Sequence, residues 1–137
     1  MVIMTAQEHE QIIQAGHPDH CHSITIRNAD YYILDFDPGV YRLSTSVGCP
    51  YLTTEKRCSI ENEKPLICKA FPLMPSYIMN KSCPVVQNVT FSSTFLENAI
   101  QIVDRIHENM NAHLFYEILD SYTERKQSAA LNTPKAP

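Results

Sequence analysis

Four of the five cysteines in this chain fall between Cys49 and Cys83. They stand in Cys49-Pro50-Tyr51-Leu52, Cys58-Ser59-Ile60, Pro65-Leu66-Ile67-Cys68-Lys69-Ala70-Phe71-Pro72 and Cys83-Pro84, with eight, nine and fourteen residues between successive thiols. Four thiolates are a complete coordination shell for tetrahedral Zn²⁺, and they also hold iron–sulfur clusters. The spacing is wider than the C-x2-C knuckle of a zinc finger, so each cysteine must arrive on its own turn. The prolines around Cys49, Cys68 and Cys83 suit that arrangement. Two other readings compete. Free cysteine is a common buried residue, and cysteines pair as disulfides in oxidising compartments.

A second set of candidate ligands, His17, His20, Cys21 and His22, lies in one short polar stretch. Imidazole and thiol together suit a metal, so the set is a candidate for additional ligands, although a solvated loop is the expected reading. His9, His107 and His113 have no partner spacing and read as surface or interface residues. Glu61 and Glu63 read as a charged turn. No Gly-rich phosphate loop, G-x-S-x-G elbow or dinucleotide fingerprint occurs, and three glycines leave little room for one. An enzyme is therefore not expected. A thiol enzyme would need one cysteine with a clearly depressed pKa.

The elements that must position these residues are legible in outline. Thr5 with Glu8 matches a capping box, Ile12, Ile13 and Ala15 supply an apolar stripe, and Gly16 suits the position after a helix; a helix over 5–15 follows. Residues 17–22 read as a loop. Ser23 to Arg27 alternates like a short strand. Tyr31–Phe36, the turn Asp37-Pro38-Gly39 and Val40–Leu43 read as a β-hairpin over 31–43. Between 44 and 92 the periodicity fades and five prolines argue against long helices. A metal would supply stability that such a segment lacks.

From Thr94, paired with Glu97 as a second capping box, apolar residues recur at helical spacing from Phe95 to Ile106 and again from Leu114 to Tyr122. Asn109-Met110-Asn111 marks a break or bend, so this is one long helix or a helix pair, ending near Arg125–Gln127. Its stripe reads as core, and a partner-binding face is the sharper alternative. Residues 128–137 read as a disordered tail. The fold expectation is a small α+β domain spanning 1–127.

The net charge of −4 and the absence of a Lys/Arg run disfavour a nucleic-acid or anionic-membrane partner. No apolar run approaches the roughly 20 residues a membrane helix needs. Met1-Val2-Ile3-Met4 is too short for a signal-peptide core, so the cytoplasm is the expected address. Reduced thiols there suit metal binding better than disulfides.

The order Cys49-x-Tyr51-Leu52, Cys58-Ser59-Ile60, Pro65-x-x-Cys68 and Phe71-Pro72 resembles the core of the zinc- or iron-chelating YkgJ-type family, also called the CxxCxxCC family. The likeness covers about residues 49–84. Glu61 stands where that family has Tyr, Lys64 and Lys69 stand where it has Arg, and its opening cysteine cluster has no counterpart in this sequence. The resemblance implies a zinc ion or an iron centre, an iron–sulfur cluster included, held by Cys49, Cys58, Cys68 and Cys83. The function expected is a metal-binding protein with a structural or metal-handling role. The alternative is a protein-interaction module derived from a metal-binding ancestor, its cysteines buried or disulfide-bonded, with a protein partner engaged through the C-terminal helix.

Overall fold

A computed structural model describes residues 2–35, 49–51, 53–55, 57–79 and 90–132. The chain opens with strand β1 (Val2–Thr5) and runs directly into helix α1 (Ala6–Gln14). Thr5 ends the strand and caps the helix: its hydroxyl accepts from Glu8 N, and the Glu8 carboxylate accepts from Thr5 N at 3.1 Å. This is the expected capping box, and Gly16, at φ 89°, takes the left-handed position after the helix as expected. The strand before the cap was not anticipated, because three apolar residues at a terminus carry no alternation to read.

Strand β2 (His22–Ile26) and strand β3 (Ala29–Leu34) form an antiparallel hairpin. Arg27 and Asn28 make the turn at φ 53° and 64°, the positive pair that a two-residue hairpin needs. The strands expected at 23–27 and 31–36 are therefore present, but they pair with each other. The Asp37-Pro38-Gly39 turn and the strand at 40–43 lie outside the described residues. Both edges of β3 are occupied, since β1 pairs with its other side in the order β1-β3-β2. β1 and β2 thus run parallel with β3 between them, and α1 makes the connection.

The two faces of the sheet are covered differently. His9 of α1 stacks on Tyr32 with ring centres 3.7 Å apart, which puts α1 over the Met4–Tyr32 face. Alternation puts Ile3, Ile24, Tyr31 and Ile33 on the other face. There the C-terminal helices pack, with Tyr122 approaching His22 at 6.1 Å. Between sheet and helices lies a one-turn helix, α2 (Leu66–Ala70), packed against β1 and against α3 (Ser93–Asn109). It is the one regular helix in the cysteine segment among the described residues, and it carries Cys68.

The C-terminal part is a helix pair. The cap of α3 is Ser92, whose hydroxyl accepts from Phe95 N at 3.1 Å, two residues before the expected Thr94. Ala99, Val103 and Ile106 are its buried stripe. The break falls at Met110, as expected; its side chain is buried in the core while Asn111 Oδ1 accepts from Leu114 N to start α4 (Ala112–Asn132). Phe115, Ile118 and Tyr122 are the inward residues of α4. That helix continues past the expected end near Arg125–Gln127, so the segment from Ser128 to Asn132 is helical and not the disordered tail expected there. The molecule is a small α+β domain. Among the described residues no helix is long and apolar enough to cross a membrane.

Candidate metal centre

Tyr51 organises the cysteine segment. It follows the Cys49-Pro50 turn, its ring is buried, and its hydroxyl donates to Pro18 O at 2.7 Å and accepts from His20 N at 3.3 Å. His17 Nε2 lies 3.1 Å from Glu63 Oε2. The loop 17–22 is therefore fastened to the cysteine segment twice, and Cys21 is carried to the neighbourhood of Cys49.

Within the segment, Ser59 N donates to Tyr51 O at 2.7 Å and Thr53 N to Arg57 O at 2.8 Å. These bonds close a loop whose two arms carry Cys49 and Cys58. Cys68 comes from α2. That helix starts where Leu66 N donates to Glu8 Oε2 at 2.7 Å. One carboxylate thus serves the caps of two helices and fixes α2, with its cysteine, against α1.

Cys21, Cys49, Cys58 and Cys68 are all half-buried against the same core, and no disulfide joins them. Burial pushes the Cys68 thiol up to about 12; charge on Cys49 and Cys58 would add to this, and Lys64 opposes it. Burial also raises Cys21 to about 11, helped by Asp19 and Cys49 and opposed by the Tyr51 hydroxyl. Cys49 is thus an electrostatic neighbour of both Cys21 and Cys68, and Cys58 is a neighbour of Cys68. Neither Cys21 nor Cys68 is the activated thiolate that a thiol enzyme requires. Cys83 lies outside the described residues.

The tightest set of potential ligands is elsewhere. Among the described residues, the one group of His, Cys, Asp or Glu donors that all lie within 4.8 Å of one another is His9, Asp19 and Cys21. Cys49, Cys58 and Cys68 stand in a wider neighbourhood than the roughly 3.5–4 Å sulfur–sulfur edge that Zn–S bonds of about 2.3 Å imply. His9 is no surface residue. It is buried beside Ile12 on the inner face of α1, its ring lies 2° from parallel to Tyr32, and its Nε2 meets Asp19 Oδ1 at 3.0 Å. Asp19 Oδ1 also accepts from Cys21 N at 3.0 Å. The Cys21 N–H holds the Asp19 carboxyl below its ordinary value against the opposing effect of burial, with His9 and His20 helping.

The loop histidines do not gather around Cys21. His17 is taken by Glu63, His20 meets the Tyr51 ring edge-on at 5.1 Å, and His22 is exposed beside Tyr122. Of the helical histidines, His107 donates from Nε2 to Pro75 O at 2.6 Å, and His113 is exposed. Glu61 pairs with Lys64 on the surface at 3.3 Å. The sequence reading missed this group; the one usable signal was Asp19 two residues before Cys21, the spacing of an Asx turn. Comparison with known proteins finds no matching family model, no matching curated protein and no matching solved structure.

Proposed function

We propose that this chain is a metal-binding domain that holds zinc or iron, an iron–sulfur cluster included, through the thiolates of Cys49, Cys58, Cys68 and Cys83. The role is structural or one of metal handling, in a reducing compartment such as the cytoplasm where the thiols stay available. The observation that supports this reading most is that Cys49, Cys58 and Cys68 pack against the same core as electrostatic neighbours, on a loop closed by backbone hydrogen bonds and on a one-turn helix whose Leu66 N–H is held by the Glu8 carboxylate. Sulfur donors suit both zinc and iron. Among the described residues the arms of the 51–59 loop are joined by two backbone bonds, Ser59 N to Tyr51 O and Thr53 N to Arg57 O, and coordination requires these arms to shift toward Cys68 on α2. Replacing Cys49 or Cys68 by Ser is expected to lower the metal content of the reduced protein. Unchanged content in both variants would contradict the assignment.

A second reading has its own support. Phe71, Tyr77 and Ile78, which follow Cys68, expose apolar side chains, Ile78 to 66%. Such a surface suits a protein-interaction module. Thiol titration under native conditions separates the two: protection of the cysteines by added zinc follows from the first reading, and equal alkylation with and without zinc follows from the second.

A further inference from the structure

We infer that His9, Asp19 and Cys21 form a second metal position, for a borderline divalent ion of the zinc class. This site is independent of whether the 49–83 cysteines are loaded. Its three donors are an imidazole, a carboxylate and a thiol, brought within 4.8 Å of one another from a helix and from the loop that follows it. That mixture excludes the oxygen-seeking ions magnesium and calcium and matches the ligands zinc accepts. His9 Nε2 and Asp19 Oδ1 are 3.0 Å apart, close to the roughly 3.3 Å edge of a tetrahedron with metal bonds of about 2.0 Å.

The donors are also held. Tyr32 fixes the plane of the His9 ring at 3.7 Å, and the Cys21 N–H fixes one Asp19 oxygen. Tyr51 holds the backbone on either side of Asp19 through Pro18 O and His20 N. Supports of this kind orient the ligands of established metal sites. The ion has a route in, because the Asp19 side chain is 50% exposed while that of His9 is only 10% exposed. Three protein ligands leave one of four places to solvent.

The test is titration of the intact, reduced chain with Co²⁺ alone, read by stoichiometry and by sulfur-to-cobalt charge-transfer absorption. Asp19→Asn and His9→Gln are run beside the parent, with circular dichroism to confirm folding. Asp19→Asn keeps the shape and the acceptor for Cys21 N–H, so it guards against a folding failure in His9→Gln. The site predicts that Asp19→Asn weakens one Co²⁺ at least about tenfold. If the parent binds a single Co²⁺ with a one-thiolate spectrum that Asp19→Asn removes, the inference stands and the 49–83 assignment falls. A single Co²⁺ with a many-thiolate spectrum, indifferent to Asp19→Asn, overturns the inference and leaves that assignment standing. No Co²⁺ bound by folded parent overturns both.

Discussion

Tyr51 and Glu8 each connect parts of the chain that are far apart in sequence, and their polar atoms do it. Tyr51→Phe keeps the buried ring but strands Pro18 O and His20 N, at a cost of about 1–2 kcal/mol. The variant should unfold at lower denaturant, and its Cys21 should be alkylated faster than in the parent; an unchanged Cys21 rate would mean that the hydroxyl does not hold the loop. Glu8→Ala removes the acceptor for Thr5 N and for Leu66 N, so two helix starts lose a partner and the expected loss is about 2–3 kcal/mol by chemical denaturation. Half of this was legible. The Thr5–Glu8 spacing announced the local bond, but nothing announced that the second oxygen reaches Leu66, 58 residues on. His9 was misread for the same reason: the residue type says polar, and only the stack on Tyr32 reveals that its apolar faces are buried.

At the scale of elements, α4 is fastened to the sheet by a small polar cluster at the end of β3. Asp35 Oδ2 accepts from Tyr122 Oη at 3.0 Å and from Lys126 Nζ at 2.7 Å, while Arg125 donates to Ser23 O. Burial alone would raise the Asp35 carboxyl, but the Lys126 and Tyr122 hydrogen bonds and the Lys126 charge hold it below its ordinary value. A depressed folded pKa stabilises the fold above the unfolded value of about 3.9 and stops doing so as pH falls through the folded value. Thermal unfolding against pH should therefore show an acid limb below about pH 4 that is shallower in Asp35→Asn. Tyr122 moves the other way, up to about 12 through burial and then Asp35, so its contribution persists to about pH 10 and is lost as pH rises toward 12. Deeper in the same helix, Ile118 is fully buried, and Ile118→Ala should cost about 2–5 kcal/mol in denaturant titration. Helical periodicity exposed α3, α4 and the bend at Met110 because their apolar residues recur over several turns. The hairpin partner was missed because Arg27-Asn28 lacks the Asn-Gly pattern that marks a two-residue turn, while Asp37-Pro38-Gly39 looks like one.

In the whole molecule, a split β-α-β unit with α1 on one face and α3 and α4 on the other forms a frame, and the cysteine segment lies across it. The frame fixes α2 through Glu8 and the 17–22 loop through Tyr51, so Cys21, Cys49, Cys58 and Cys68 reach one neighbourhood from three separate stretches of chain. Composition and spacing picked out all four of those thiols as candidate ligands, but placed only Cys49, Cys58 and Cys68 in one set. Cys21 was grouped with its neighbouring histidines because sequence proximity is visible in a string, whereas the contact with the cysteine segment depends on tertiary folding. The central proposal is that Cys49, Cys58 and Cys68 of this gathering, together with Cys83, hold a metal. Elemental analysis of the reduced, folded protein, prepared with zinc and iron available and compared with Cys68→Ser, tests it most directly. The account predicts at least one equivalent of zinc or iron per chain, reduced in the variant. Folded parent protein carrying neither metal would contradict it.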